Sequence, residues 1–143
     1  MGQLKAQSFF DTNVLLYTFS ADAAKAETAE ALLARGGVVG VQVLNEFTSV
    51  ARRKMNMAWS EIEDVLFLIR RRCSVRPLTL QIHEHALKLA SCHGFSWYDA
   101  LVVAAALEAG CLELLSEDLH DGLLVDGTLR IRNPFKNDPG ASS

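Results

Sequence analysis

The sequence predicts a three-layer α/β/α sandwich with a short parallel sheet. Short apolar runs alternate with longer segments of helical periodicity along the 143 residues. This alternation is typical of parallel strands joined by helices that cover both faces of the sheet. Half of the residues are hydrophobic, and a chain of this length can bury a core without disulfides or a structural metal. We therefore expect one domain over residues 1–135 and a loose C-terminal tail over residues 136–143.

Two strand-helix units are predicted in the first half of the chain. The apolar run at residues 7–10 predicts the first strand, and the Ala-rich segment 22–35, which ends at two glycines, predicts a helix. The Val-rich residues 38–41 predict the second strand, which leads into a helix over about 42–54. Residues 60–63, with the sequence SEIE, have the form of a capping box and predict the start of another helix.

The second half continues the alternation. Thr79 is placed to cap a helix that extends to about Cys92. The helix predicted over 97–109 is apolar on nearly all sides, so it should pack against the sheet or a second subunit. Residues 111–115 then predict a third strand and residues 129–131 a last short strand. Ligand-binding residues are expected at the carboxyl ends of these strands.

Composition excludes several classes of protein. The net charge of -3 argues against a protein that holds nucleic acid through bulk positive charge, although it does not exclude phosphate binding through metal ions. No apolar stretch approaches the roughly 20 residues that cross a bilayer, and residues 1–8 lack the apolar region of a signal peptide. Cys73, Cys92 and Cys111 lie in apolar contexts and suit buried free thiols. We expect a cytoplasmic protein without a membrane segment.

Four carboxylates fall where predicted strands end or helices begin: Asp11, Glu46, Asp99 and Asp118. A parallel sheet could bring all four to one edge, where their mutual repulsion would require a cation. An all-oxygen ligand set favours Mg²⁺ or Mn²⁺ over zinc. Such an ion can activate a water, orient a phosphodiester and offset charge on the leaving oxygen. The pattern therefore indicates metal-assisted chemistry on a phosphodiester.

Each carboxylate also has a structural interpretation. Asp99 could complete a capping box with Ser96, and Asp11 could form an Asx turn or a helix N-cap. Asp118 could belong to a polar turn, and Glu46 could be a solvated helix residue. For the three aspartates considered singly, these structural roles are favoured. The coincidence of four acids at one expected edge favours a joint function.

Four motifs that contain these acids follow one another along the chain: FDTNVLL at 10–16, QVLNEF at 42–47, WYDALVVAA at 97–105 and LSEDLHDG at 115–122. In order and spacing they resemble the successive acidic motifs of the PIN-domain nucleases, over roughly residues 8–135. The single-domain length and the IRNPF ending at 131–135 resemble VapC-type ribonuclease toxins within that family. One such motif is weak evidence, whereas four in order on the expected elements are strong.

This resemblance implies a ribonuclease that cleaves single-stranded or looped RNA with one or two Mg²⁺ or Mn²⁺ ions. Asp11, Asp99 and Asp118 would be metal ligands. Glu46 would complete the acidic pocket, directly or through a bound water. Asp121 would be a possible further acid, although a turn at Asp121-Gly122 is its favoured role.

The resemblance also implies supporting residues and protein partners. Thr12, Asn13 and Ser116 would orient the carboxylates or water. A cognate antitoxin would occupy the pocket, and the toxin would form a homodimer. The apolar residues 65–69 could bind the antitoxin or the second subunit, although burial in the core explains them equally well. The rival interpretations are a PIN-like RNA- or protein-binding module without turnover, and a nuclease of RNA maturation.

Other candidate sites are weaker. His83 and His85 are two positions apart, so they face different sides of a helix and do not form the i, i+4 pair of a zinc site. The basic residues 52–54 and 70–72 could contact RNA phosphates, but they also suit helix C-termini. The aromatic side chains within residues 95–98 could stack on bases, although packing is favoured.

Overall fold

The computed structural model describes residues 7–136 of the chain. The strands in this range are Ser8–Phe10 (β1), Gly37–Gly40 (β2), Cys73–Arg76 (β3), Glu113–Leu115 (β4), Leu124–Val125 (β5) and Leu129–Arg132 (β6). The α-helices are Thr12–Leu16 (α1), Ala23–Arg35 (α2), Val41–Lys54 (α3), Trp59–Arg72 (α4), Leu80–His93 (α5) and Trp97–Glu108 (α6), and a 3-10 turn, Tyr17–Phe19, follows α1. The expected C-terminal tail lies, apart from Lys136, outside the described residues.

The strand order of the sheet is β3-β2-β1-β4-β6-β5. All neighbouring strands pair in parallel except β5, which is antiparallel to β6. The chain leaves β1 towards β2 on one side and returns to β4 on the other. Such a reversal opens a crevice at the carboxyl ends of the two strands, which is where open α/β sheets bind ligands. The crevice of this protein therefore lies between the ends of β1 and β4.

Helices cover both faces of the sheet. The adjacent residues Val38 and Val39 of β2 point to opposite faces, and both are buried. α5 packs on α6, whereas α1 to α4 pack among themselves, so the helices form two layers. The predicted three-layer α/β/α sandwich is confirmed, and only β5 departs from the parallel arrangement.

Most helix boundaries agree with the sequence to within a residue or two. The side chain of Thr79 caps α5 as predicted, and that of Asp22, which the sequence places in the helix, caps α2. The capping box proposed at Ser60 is wrong. The carboxylate of Glu61, rather than that of a later residue, accepts the N–H of Ala58 at 2.7 Å, so α4 begins before Ser60 and Ala58 is its N-cap.

The sequence does not reveal β3 and β5. β3 follows α4 without an intervening glycine or proline, and its basic flank indicates only the end of a helix. β5 has two residues and closes a hairpin with β6. The turn of this hairpin contains Asp126 and Gly127, both with positive φ. Short edge strands of this kind carry too few residues for a period-2 pattern to be recognised.

All three cysteines are free thiols, but they differ in exposure. Cys73 and Cys111 are buried as predicted, and burial raises the pKa of each thiol to about 11. Cys92 is exposed, so the expectation of burial is wrong for it. It lies in the last turn of α5, past Leu89, the last buried residue of that helix.

The apolar helix α6 lies inside the protein, as its sequence predicts. Its buried residues are Ala100, Leu101, Val102, Val103, Ala104 and Ala106, and it packs against α5 and β4. Among residues 7–136, no helix combines the length and hydropathy needed to cross a membrane.

Gly37 allows β2 to approach β1 closely. A Cβ atom at this position would lie 2.7 Å from the Ser8 carbonyl oxygen and 2.8 Å from the Phe10 ring. We predict that Gly37→Ala lowers the free energy of unfolding by about 1–3 kcal/mol, because backbone and ring atoms must move. Gly40→Ala is the control, since its Cβ would meet only the Phe9 ring at 3.4 Å. Urea unfolding measures both variants, and equal losses would contradict this account of the β1–β2 contact.

Candidate active site

Asp11 is a buried carboxylate in the crevice between β1 and β4. It directly follows β1, and its N–H donates to the Leu115 carbonyl at 3.0 Å. Only 7% of its surface is exposed. Its Oδ1 accepts the N–H of Thr12 at 2.8 Å, and its Oδ2 accepts the hydroxyl of Ser116 at 2.7 Å. Donors from both sides of the crevice therefore fix the two carboxylate oxygens.

The charge of Asp11 has no cationic partner within residues 7–136. Burial raises the pKa of Asp11 to about 6. The hydrogen bonds from Ser116 and Thr12 oppose this shift, and the negative charges of Glu46 and Asp118 add to it. A cation bound at the carboxylate would stabilise its ionised form.

Glu46 reaches the same site from α3. The hydroxyl of Thr12 donates to Glu46 Oε1 at 2.6 Å, and α1 packs against α3. Because the N–H of Thr12 donates to Asp11, one residue holds both carboxylates. Glu46 is otherwise exposed, so this contact, rather than burial, positions its side chain.

Asp118 joins the site through Asn13 and Ser116. The Asn13 side-chain amide donates to Asp118 Oδ2 at 3.1 Å and to Ser116 Oγ at 3.5 Å. The N–H of Asp118 donates to Ser116 Oγ at 3.2 Å. The structure thus brings together Asp11, Glu46 and Asp118, and it places the three predicted supporting residues between them.

Asp99 stands apart from this network. It lies half-buried in the first turn of α6, and its N–H donates to the Ser96 hydroxyl at 3.4 Å. Within the described range, its carboxylate forms no hydrogen bond or ion pair. Of the capping box that the sequence offered as an alternative, the hydrogen bond from the Asp99 N–H to the Ser96 side chain is present. The role of Asp99 as a ligand stays a prediction.

The donor chemistry of the site suits a hard divalent cation. Between residues 7 and 136, no three His, Cys, Asp or Glu side chains converge closely enough to hold a metal ion together. Mg²⁺ does not need such a cage, because it keeps several waters and takes only one or two carboxylates directly. The buried, cation-free carboxylate of Asp11, with two further acids near it, fits this mode of binding.

Asp121 is engaged with the C-terminal segment instead. Its Oδ1 accepts the N–H of Asn133 at 2.8 Å, and its Oδ2 accepts Lys136 at 3.3 Å. The hydrogen bond from Asn133, with a smaller effect of Lys136, lowers the pKa of Asp121. Gly122 has a φ of 92°, which agrees with the Asp-Gly turn favoured from the sequence.

Sequence analysis did not single out Glu117, Tyr17 and Lys25, which form a cluster in the structure. Glu117 Oε1 accepts the hydroxyl of Tyr17, and its Oε2 accepts Lys25 at 3.1 Å. The hydrogen bond from Tyr17 is the main cause that lowers the pKa of Glu117, and it raises that of Tyr17. Tyr17 and Lys25 are 100 and 92 residues from Glu117 in the sequence. Only Glu117 has a sequence signal, its position next to the predicted site residue Asp118.

The basic runs lie in the last turns of α3 and α4, where the helix-terminus interpretation placed them. Arg52 stacks over the Trp59 ring at 5.0 Å and donates to the Met57 carbonyl, which is a structural role. His85 contacts Glu108 at 3.0 Å, and His83 contacts the Trp97 ring edge-on. The two histidines therefore have different partners, as their spacing predicts.

Burial in the core accounts for some, but not all, of the aromatic residues within 95–98 and the apolar residues of segment 65–69. Phe95 and Trp97 pack against the core, but Tyr98 is 70% exposed, so the expectation of packing is wrong for it. In α4, Ile69 is buried, whereas Phe67 and Leu68 are more than half exposed. Core burial thus does not account for the whole apolar segment 65–69.

The sequence pattern of the PIN domain matches residues 8–120. The chain belongs to the PIN-domain family. The similarity inferred from the four acidic motifs is thereby confirmed. No curated protein matches the sequence.

Solved structures with this fold include toxins of toxin-antitoxin systems. A toxin-antitoxin complex from Klebsiella pneumoniae has a TM-score of 0.66 and 19% identity, over 89% of this chain and 97% of that chain. VapC20 from Mycobacterium tuberculosis, described as a sarcin-ricin loop cleaving toxin, has a TM-score of 0.60 and 23% identity, over 78% and 91%. DNA-bound VapBC from Salmonella typhimurium has a TM-score of 0.66 and 18% identity, over 91% and 99%. Identities this low show a shared PIN fold.

We predict that Asp11→Asn stabilises the protein at neutral pH when divalent ions are chelated. The pKa of Asp11 rises from 3.8 in the unfolded chain to about 6 in the folded protein, so the folded protein binds the proton more tightly. The stability of the wild type should therefore fall as the pH rises from about 4 to about 6. Asn does not titrate, so the variant avoids a loss of up to about 3 kcal/mol at pH 7. Its amide group cannot accept one of the two hydrogen bonds that Asp11 receives, which costs about 1 kcal/mol, so a smaller net gain is expected.

The measurement is chemical unfolding from pH 4 to 7 in the presence of a chelator. Asp64→Asn, at an exposed position of α4, is the control and should keep the wild-type dependence on pH. If the stability of Asp11→Asn fell with pH as that of the wild type does, burial of the Asp11 charge would not be the cause of the pH dependence.

Proposed function

We propose that this PIN domain is a divalent-metal-dependent endoribonuclease and the toxin of a toxin-antitoxin pair. The observation that carries the proposal is the buried carboxylate of Asp11, which lies at the crevice of the sheet without a cationic partner in the described range. Glu46 and Asp118 lie close enough to raise its pKa. A site of this charge would repel RNA phosphates unless cations were bound.

The residues of the site divide into ligands and groups that orient them. Asp11, Asp99 and Asp118 hold one or two Mg²⁺ or Mn²⁺ ions, and Glu46 completes the pocket directly or through a bound water. A bound ion supplies a water of lowered pKa and offsets charge on the leaving oxygen. Thr12 orients Asp11 and Glu46 through its N–H and its hydroxyl.

Asn13 and Ser116 hold the other side of the pocket. The hydroxyl of Ser116 donates to the Asp11 carboxylate and accepts the N–H of Asp118, so it links Asp11 to the backbone of Asp118. Asn13 restrains the Asp118 carboxylate. A phosphodiester bound between these acids would present its phosphorus to a water that Glu46 orients, for in-line attack.

An antitoxin and a second copy of the chain are the proposed protein partners, and the cytoplasm is the proposed location. The fold shared with toxin chains from toxin-antitoxin complexes supports the antitoxin. The exposed Phe67 and Leu68 of α4 support a protein contact, since neighbouring exposed apolar side chains are typical of interaction surfaces.

The proposal predicts that the purified chain cleaves a mixed cellular RNA pool with Mg²⁺ or Mn²⁺ and not with a chelator. Asp11→Asn should lower the cleavage rate on the order of a hundredfold or more, because the ion that would offset the developing negative charge loses its buried carboxylate ligand. Asp64→Asn should cleave like the wild type. Cleavage that persists in chelator or in Asp11→Asn would contradict the proposal, and RNA binding without cleavage would favour the binding-module alternative.

Asp99→Asn distinguishes the two roles of Asp99 in the same assay. Asn preserves the size of the side chain in the first turn of α6 but removes the charge. A metal ligand should lose activity as Asp11→Asn does, while the melting temperature changes little. Full activity of Asp99→Asn would show that Asp99 has only a structural role, in the first turn of α6.

A further inference from the structure

Asp118 lies in a turn that is joined to β6 at both ends, by the N–H of Ser116 on the Arg132 carbonyl and the N–H of Gly122 on the Ile131 carbonyl. Residues 116–121, which follow β4, belong to no helix or strand. The contacts described for Asp118 are those from Asn13 to its carboxylate and from its own N–H to Ser116. Its position therefore depends on side chains that restrain this turn.

Glu117 is the residue of the turn that reaches out of the pocket. Its N–H donates to Asn13 Oδ1 at 3.2 Å, and the amide of Asn13 in turn donates to Asp118. Its carboxylate points instead to the 3-10 turn and to α2, where Tyr17 and Lys25 bind one oxygen each. With both oxygens occupied, Glu117 is not an open metal ligand.

Tyr17 and Lys25 form a compact cluster with Glu117. Lys25 Nζ lies 3.1 Å from Glu117, 3.5 Å from the Tyr17 hydroxyl and 4.5 Å from the centre of the Tyr17 ring. The other contact of the ring is Phe135, packed edge-on at 4.6 Å between ring centres. The cluster thus ties the turn to two elements that lie outside the acidic pocket.

We propose that Lys25, Tyr17 and Glu117 are positioning residues that hold Asp118 in place for metal binding. The inference rests on the proposed function, because it assumes that Asp118 is a ligand. In this view Glu117 restrains the turn on the side opposite Asn13. Loss of either partner would let the turn move and would weaken the metal site without removing a ligand.

The charge of Lys25 makes the proposal testable. A cation near the pocket repels a metal ion, so Lys25→Met should tighten metal binding if only long-range charge matters. If Lys25 positions Asp118, the same substitution should weaken binding. Tyr17→Phe changes no charge and should also weaken it. The two explanations thus predict opposite signs for Lys25→Met.

The experiment measures Mn²⁺ affinity of the full chain by calorimetry. Groups that contact metal ligands directly typically contribute 10–100-fold to affinity. Because Lys25 and Tyr17 act on Asp118 through Glu117, we expect a smaller loss, about three- to tenfold, in Lys25→Met and Tyr17→Phe. Hydrogen exchange without metal provides a second readout. The amides of Glu117 and Asp118 should exchange faster in both variants, while amides of the core strands do not change.

Glu113→Gln is the matched control. Glu113 begins the strand that Glu117 follows, is paired with Arg132 at 2.8 Å, and is exposed to a similar extent. It should leave Mn²⁺ affinity, RNA cleavage and exchange of the turn unchanged. Wild-type affinity or tighter binding in Lys25→Met, with unchanged exchange, would overturn the positioning role while the wild type still bound metal and cleaved RNA. A wild-type chain that bound no Mn²⁺ would overturn both this inference and the metal-dependent function.

Discussion

The site depends on the burial of one negative charge. Asp11 lies where the strand order of the sheet reverses, and the described part of the chain offers it hydrogen bonds but no cation. Burial of an ionised carboxylate without a cation lowers the stability of the folded protein. The raised pKa of Asp11, about 6, reflects this loss of stability. Destabilised groups of this kind are characteristic of functional sites. The proposed metal ion would neutralise this buried charge, and the stability recovered in this way would contribute to the affinity for the ion.

Two short polar residues organise the acids around Asp11. Thr12 donates its N–H to Asp11 and its hydroxyl to Glu46. Ser116 donates its hydroxyl to Asp11 and accepts the N–H of Asp118. Thr12 therefore connects Asp11 to Glu46 of α3, and Ser116 connects Asp11 to the backbone of Asp118. The half-buried cluster around Glu117 extends this order towards the surface.

The sequence predicted those parts of the fold and site that depend on local patterns. The position of Asp11 could be predicted because it directly follows a buried strand, and the burial of α6 because this helix is apolar on nearly all sides. The role of Ser116 was implied by the resemblance of its motif to those of PIN domains. The strands β3 and β5 could not be predicted, since one continues from a helix without a breaker and the other has two residues. The Lys25–Glu117 contact joins positions 92 residues apart, and no local pattern encodes such a pair. For Asp99, the motif predicts a ligand, whereas the structure describes only its place at the start of a helix.

The central claim is that a divalent ion binds at Asp11 and is shared with Asp118. Anomalous diffraction from crystals grown with Mn²⁺ tests this directly, because the signal locates the ion without any assumption about activity. We expect an anomalous peak next to an Asp11 oxygen, close to the distance of about 2.0–2.1 Å that Mg²⁺ keeps to its oxygen ligands, and no such peak in Asp11→Asn crystals. Ions found only elsewhere on the protein, with Asp11 still bound solely by Thr12 and Ser116, would contradict it.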